Sequence, residues 1–524
     1  MEVQVFELSN LHKDGTQNTK QQSLPPTPGI DDTPTASRGA SRSASPIGTR
    51  DDSIANLMDS TNEADSVSTL PPIDGGSRAW IFLFGAFLTE LICLGGAFSF
   101  SIFQDYLVES KSSPLKDANN VGVSAIGTML VCLSYFAPPL VRGIWARFAI
   151  WNRWMGFVSL SLAGLSLIVA SFGNSTAFMV VFMGILPGTF LGIGTLNYLI
   201  WLPQWFLKKR GLANGIAFAG AGTGGIIYPF VLNVALSNVG FQWTLRIWAF
   251  IIVFIGGFST LLIRPRIPPT RRSTSNQNSS IAQSPSNDDT QQKSRSKNAK
   301  QALKKSLKSL SFGKSPLFVL NALATFVASM GFFSVSFYLA VYCRSLGLNS
   351  GTSTGIVAAF NAAALTGEII IGHACDRFAY PSIIFLIGAL ASSSAFLLFG
   401  LAQSLVGVIF FVLLFGMAAG SYCSIWTPAA YDISRLYNMQ TANVLLGLTI
   451  PRGLASAIGP LVAAALYHPE KNQAKAIFGA FGFDGLIVFV GTCMIALMPF
   501  APLISYSKAK AFASADPNTL QERL

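Results

Sequence analysis

The sequence predicts an all-α polytopic membrane protein with 12 transmembrane helices arranged as two pseudo-symmetric halves of six. Three observations carry that prediction. Only 11% of the 524 residues are charged, whereas soluble domains carry about 25%. The apolar residues fall in blocks of roughly 20, the length that a bilayer about 30 Å thick requires. Six such blocks precede a long basic stretch and six follow it, and short sequence echoes recur at equivalent places in the two halves.

Residues 1–75 are rich in Ser, Thr, Pro, Asn and Asp and are expected to form a disordered cytoplasmic tail. Thr27-Pro28, Thr33-Pro34 and Ser45-Pro46 within it have the pattern of proline-directed phosphorylation sites. An N-terminal six-helix bundle is predicted over 76–263, from apolar blocks at 79–103, 121–140, 154–170, 177–202, 212–236 and 245–263. A basic cytoplasmic loop, 264–315, leads to a C-terminal six-helix bundle over 316–500. Its blocks lie at 316–342, 353–372, 382–401, 405–426, 443–466 and 477–497, and residues 501–524 form a cytoplasmic tail. The 41 Phe and 47 Gly suit helices that pack closely in lipid.

Charge placement sets the expected orientation. Arg142, Arg147 and Arg153 lie between spans 2 and 3, Lys208, Lys209 and Arg210 between spans 4 and 5, Arg377 between spans 8 and 9, and Arg435 between spans 10 and 11. These loops share a side with the central basic loop and both termini, so that side is cytoplasmic. The net charge of +12 comes mostly from the central loop, whose twelve Lys and Arg face only Asp288 and Asp289. Basic residues beside a membrane meet anionic lipid; without interleaved aromatics on a folded face they do not indicate nucleic acid. The six cysteines lack paired spacing, and three histidines cannot build a metal cluster, so neither metal nor cofactor is expected. Nucleotide-binding and hydrolase motifs are absent, and no catalytic residue is assigned.

The halves repeat one another. Gly96-Ala97-Phe98-Ser99-Phe100-Ser101-Ile102-Phe103 in span 1 parallels Gly331-Phe332-Phe333-Ser334-Val335-Ser336-Phe337-Tyr338 in span 7, 235 residues later. Trp201-Leu202-Pro203 closes span 4 as Trp426-Thr427-Pro428 closes span 10, 225 residues later. Ionisable residues within spans are costly and mark candidate functional positions. Glu90 lies in span 1, Glu368 in span 8, Arg452 after Pro451 in span 11 and Asp484 toward the outer end of span 12. Arg452 is expected to pair with Glu368, weighed against a purely structural ion pair with no role in turnover, and Glu90 is a candidate proton carrier. Asp484 lies within reach of the interface and is not assigned.

Two stretches resemble the monocarboxylate porter family of the major facilitator superfamily. Asp74-Gly75-Gly76-Ser77-Arg78-Ala79-Trp80 leads into span 1. Trp205-Phe206-Leu207-Lys208-Lys209-Arg210-Gly211-Leu212-Ala213-Asn214-Gly215-Ile216-Ala217-Phe218-Ala219-Gly220 leads into span 5. Together with the 6+6 arrangement the resemblance covers about residues 74–500 and looks most like the fungal branch, which includes riboflavin porters. Gly372-His373-Ala374-Cys375-Asp376-Arg377 is similar to the superfamily's gating loop, which implies that Asp376 and Arg377 latch helix ends. Its first-half counterpart, Gly143-Ile144-Trp145-Ala146-Arg147, carries Arg where the acid belongs. Within span 5, Gly215, Gly220, Gly222, Gly224 and Gly225 are expected to admit a neighbouring helix.

The resemblance implies a secondary transporter that carries a small organic solute by alternating access, with proton coupling as an option. The family's anion-binding Lys aligns with Phe98, and its Asp and Arg of span 8 align with Ala364 and Glu368. A simple monocarboxylate is therefore not expected; an uncharged, aromatic or cationic organic molecule is. By resemblance spans 1, 4, 7 and 10 line the cavity, which nominates Phe98, Ser99, Asn197, Tyr198, Trp201, Ser334, Tyr338 and Trp426, each weighed against plain helix packing. The expected partners are a small-molecule substrate, the lipid bilayer and H+, in a plasma or vacuolar membrane. Efflux of a secondary metabolite and nutrient sensing by a transporter-derived protein are the alternatives.

Overall fold

The computed structural model describes residues 70–109, 113–115, 120–148, 150–267, 311–437, 439–468 and 478–515. Residues 1–69 of the expected disordered tail, with its three Ser/Thr-Pro pairs, most of the basic central loop and residues 516–524 lie outside the described residues, whereas residues 70–75 are ordered against the start of α5 through Asp74. Among the described residues there is no strand.

Among the described residues, eleven helices are long and apolar enough to cross a membrane. In chain order they are α1 (Ser77–Gln104), α2 (Gly122–Ala146), α3 (Asn152–Ala170), α4 (Thr176–Trp205), a 53-residue helix Arg210–Leu262, then α7 (Pro316–Ser345), α8 (Gly351–Arg377), α9 (Tyr380–Phe399), α10 (Leu405–Tyr437), α11 (Thr441–Leu466) and α12 (Asp484–Ala513). Local chemistry starts several of them. Ser175, Asn349 and Ser404 accept the N–H groups of Phe178, Thr352 and Gly407, and prolines open α7 and α9.

The 53-residue helix makes two passes. Straight, it would run about 80 Å, yet both its ends lie beside the start of α1. Asp74 accepts the N–H groups of Lys208 and Lys209 just before it, and Gly85 of α1 abuts Leu262 and Ile263 at its end. The reversal falls at Gly240, whose φ of 77° and ψ of 173° suit only a residue without Cβ. Its limbs are α5 (210–239) and α6 (241–262), which restores the predicted twelve passes, with a single-residue turn in place of a loop over 237–244. At the C-terminal end α12 bends after Leu497 and continues as helix, taking in part of the expected tail. Phe250, Phe254, Phe258 and Leu261 form an exposed stripe on α6, as lipid contact demands.

The glycines of α5 serve two neighbours rather than one. Gly220 and Gly224 meet the backbone of α1, where the Gly224 Cα approaches Gly95. Gly215, Gly222 and Gly225 face α8, at the Glu368 carbonyl, Leu365 and Asn361. Consequently α5 is wedged between its own half and the other half without side chains to hold them apart.

Two carboxylates, one from each half, hold the start of α5. Asp74 accepts from the N–H groups of Leu207, Lys208 and Lys209 at 2.8–2.9 Å. Asp74 sits at φ 61° and Gly76 at φ 83°, so the Asp-Gly-Gly turn curls the carboxylate back onto this loop. The Asp74 N–H donates to the Trp205 carbonyl, and Phe82 stacks on Trp205. From α8, Asp376 accepts from the Gly211 N–H at 2.7 Å and the Leu212 N–H at 2.9 Å, capping the first turn of α5. At the counterpart between α2 and α11, Arg142 donates to Asn443 at 3.2 Å and to Gln440 at 3.0 Å.

Two outcomes follow from this packing. A Cβ at Gly95 would lie 2.5 Å from the Gly224 Cα, so Gly95→Val is expected to destabilise the protein by about 1–3 kcal/mol. An unchanged thermal midpoint in detergent would contradict the close approach. Asp376→Ala strips two helix N–H groups of their acceptor, a loss of about 1–3 kcal/mol from the closed arrangement. Cys375, only 8% exposed behind the latch, should then react faster with a maleimide, and an equal rate would argue that Asp376 does not hold this end shut.

Candidate functional site

At mid-depth, where the halves meet, α1, α2, α5, α7, α8, α10 and α11 enclose a cavity of about 20 Å3, room for about one water molecule. One face of α8 supplies Asn361, Ala364, Leu365 and Glu368, the i, i+3, i+4, i+7 spacing of a single helical stripe. Opposite it α10 tightens into a 3₁₀ turn at Ser421–Ile425, which carries Cys423 into the cavity wall and turns Ser424 onto α8. The Ser424 hydroxyl meets the Glu368 carboxylate and also lies 2.8 Å from the Glu368 carbonyl. Asn214 of α5 donates its Nδ2 to the Cys423 carbonyl at 2.7 Å, tying α5 to the same turn.

Arg452 reaches the cavity from α11, which runs unbroken through Pro451. Its guanidinium is 2% exposed and lies 5.1–5.7 Å from the ring centres of Tyr135, Phe332, Phe333 and Trp426. Contacts of this kind contribute about 0.5–2 kcal/mol each. Arg452 donates through Nη1 to the Ser329 hydroxyl at 3.3 Å, while its Nε has no hydrogen-bond partner.

The expected ion pair between Arg452 and Glu368 is not made in this conformation. Each is held by something else, Glu368 by Ser424 and Arg452 by ring faces, and the two line opposite parts of one small cavity. Glu90, 1% exposed, accepts from the Tyr198 hydroxyl through one carboxylate oxygen and leaves the other without a donor. That bond joins α1 to α4 within the first half.

The other nominated residues divide cleanly. Phe98 lines the cavity and packs on Phe332 and Phe333 at 6.2 and 6.3 Å. Trp426 stands behind Arg452 and meets Tyr135 and Phe218 edge to face. Ser99 and Ser334 are fully buried and donate back to their own helices, to the Gly95 and Met330 carbonyls. Asn197 knits the first half together, accepting from Trp145 and donating to the Asn152 carbonyl, both at 2.9 Å. Trp201 is buried in the core, and Tyr338 packs on Tyr467 within the second half. Asp376 serves α5 as described, whereas Arg377 is exposed. Asp484 is exposed in the first turn of α12, where a carboxylate complements the helix dipole.

Sequence reasoning missed Tyr135, Asn361, Ser424 and the Phe332–Phe333 pair. Asn361 and Glu368 were legible as two polar residues seven apart, on one face of α8. Nothing in the residues around Tyr135 separates it from any other membrane tyrosine.

Residues 86–451 match the family model described as the Major Facilitator Superfamily. The aspyridones efflux protein of Emericella nidulans is 26% identical over 422 residues, covering 79% of this chain and 78% of that protein. The agnestins efflux protein of Paecilomyces divaricatus is 26% identical over 446 residues, covering 83% and 91%. An MFS transporter of Aspergillus flavus is 25% identical over 424 residues, covering 81% and 87%. With a family match that runs from α1 into α11, the chain belongs to the major facilitator superfamily of membrane transporters.

Proposed function

We propose that this transporter exports a small organic molecule bearing aromatic surface and hydrogen-bonding groups, by alternating access and coupled to proton uptake on Glu90 and Glu368. The observation that carries this reading is Arg452, a guanidinium buried at the junction of the halves with ring faces around it and no carboxylate bonded to it. Its unmet Nε–H and the unpartnered Tyr135 hydroxyl, Trp426 Nε1 and Glu90 oxygen beside these groups favour a ligand that both donates and accepts. The ring wall favours an aromatic or broadly apolar body. Phe98, standing where the resembled family has its Lys, speaks against a simple monocarboxylate.

The relatives that are efflux proteins support export over uptake. The motifs at Asp74 and Trp205–Gly220 support the monocarboxylate-porter-like branch, and the loop cations support cytoplasmic termini in a fungal plasma membrane. A cavity of about 20 Å3 holds no organic molecule, so substrate enters only after the halves part. Proton uptake suits such a cycle, because it removes a buried charge at the moment when the cavity changes its exposure to water.

Metabolite profiling of cells and medium, with and without the gene, tests this reading. Loss of the gene should raise one organic product inside the cells and lower it in the medium. Arg452→Ala should cut that export by about tenfold or more, the loss of one charge-assisted contact. Glu368→Gln should leave export insensitive to external pH. A chain lacking residues 1–70 should still export, which a sensor would not do. Unchanged metabolites, or full pH-dependent export by Glu368→Gln and Arg452→Ala, would overturn the assignment.

A further inference from the structure

The Ser424 hydroxyl touches two oxygens of Glu368, the backbone carbonyl at 2.8 Å and the side-chain Oε2. Both residues are buried, and a serine hydroxyl brings a single proton to these contacts. A carboxylate and a carbonyl only accept, so with Glu368 ionised that one proton must serve two acceptors. With a proton on Oε2 each contact has its own donor: Oε2–H donates to Ser424 Oγ, and Oγ–H donates to the Glu368 carbonyl. Neighbouring donors are committed elsewhere. Asn214 gives its Nδ2 to the Cys423 carbonyl, and Arg452 gives its Nη1 to Ser329.

Charge balance points the same way. The ionisable groups that face Glu368 are Glu90 of α1, Tyr135 of α2, Cys423 of α10 and Arg452 of α11, with Cys375 farther along α8. The lining residues of α5 and α7 carry no ionisable group. Two carboxylates against one guanidinium leave one negative charge in excess around a water-sized cavity, and one proton cancels it. The cover over this pair comes from the other half. A Cβ at Gly215 of α5 would lie 2.1 Å from the Glu368 carbonyl oxygen and 3.0 Å from Ser424 Oγ. The α5 backbone thus lies directly on the two residues while the halves meet, in the place that water takes when they part.

We propose that the closed conformation holds a proton on Glu368 Oε2, and that Ser424 is the positioning residue that lets α5 close over Glu368 only when that proton is present. A cavity that shuts without cargo only when proton-loaded is the form in which the carrier returns. Return by the empty, unprotonated carrier is then disfavoured, which is the condition for coupling, because the proton binds the closed form better than the open one. The proton comes from water at the open end and goes back to water, and Oε2–H is the one bond made and broken. The proposal deepens the reading of Glu368 as a proton site and rests on it, but on no particular cargo.

The test uses purified full-length protein in phosphatidylcholine vesicles without substrate. Infrared difference spectra across pH should show the carbonyl stretch of a protonated carboxyl. That band should be lost in Glu368→Gln and move to higher frequency in Ser424→Ala, where its hydrogen bond is gone. Ser424→Thr, which keeps the hydroxyl, should restore its position. Gln presents an N–H where the acid has its O–H, so Glu368→Gln should stay closed at every pH. Raising the pH removes a proton that the closed form binds and the open form does not, so closure weakens as pH rises. Maleimide alkylation of Cys375, divided by its rate in Glu368→Gln at the same pH, should therefore rise by up to about tenfold per pH unit. No band lost in Glu368→Gln, a band that Ser424→Ala leaves in place, or a ratio flat in pH would each overturn the proposal. Export of a product without these signals would sink this proposal and leave the export reading standing; the signals without an exported product would do the reverse.

Discussion

The approach of α5 to two helices at once is the constraint on which the rest of the structure depends. Glycine at 220 and 224 lets α5 touch the backbone of α1, and glycine at 215, 222 and 225 lets it touch α8 across the junction of the halves. That second contact sets the distance between α5 and the polar stripe of α8. It leaves Glu368 and Asn361 at a wall only wide enough for a water-sized gap, and it brings the first turn of α5 under Asp376. A single larger residue on this face would move the cavity wall and the latch together, because one rigid helix carries both.

The charges at the centre obey a different rule. A guanidinium buried in an apolar environment demands compensation, and the obvious source is a carboxylate. Here aromatic faces supply it instead, from α2, α7 and α10. Ring faces attract the cation without consuming its N–H groups, so Arg452 keeps donor capacity that a bidentate pair would have used. Glu368, bonded to a serine hydroxyl, likewise has no fixed cationic partner. Both groups remain open to a change of partner, which a fixed ion pair would not be.

Most of the fold was legible because a bilayer imposes a length on each apolar block, and the echo between spans 1 and 7 had a physical meaning. Phe98 and Phe333 hold equivalent places in the two repeats and touch across the junction, while Ser99 and Ser334 make the same bond back to their own helices. The turn at Gly240 was not legible, since the polar run around it reads as a loop and only a positive φ reveals a sharper reversal. At the site, burial and charge flagged Glu90, Glu368 and Arg452 correctly as interior groups. Pairing by opposite charge then misled, because it weighs carboxylates and ignores rings. Asn197, Trp201 and Tyr338, expected at the cavity, pack within their own halves in this conformation, since a position on a lining helix does not say which way its face turns.

The contacts within a half and those between halves differ in kind, and that difference suits a molecule that must rock. Inside the first half Thr89 bonds Ser259, and Arg153 donates to the Thr260 and Leu261 carbonyls at the end of α6, beneath continuous apolar packing. Between the halves the polar ties at the latch end include Asp376 to two N–H groups, Arg142 to two amide side chains, and Arg210 on Tyr431. Each of these can be exchanged for water when the end opens, so each contributes only about 0.5–1.5 kcal/mol net. Hydrogen bonds inside the bundle have no such substitute within lipid. The halves therefore stay intact as bodies while the junction between them stays near balance, and small differential interactions at the cavity suffice to choose which end is open.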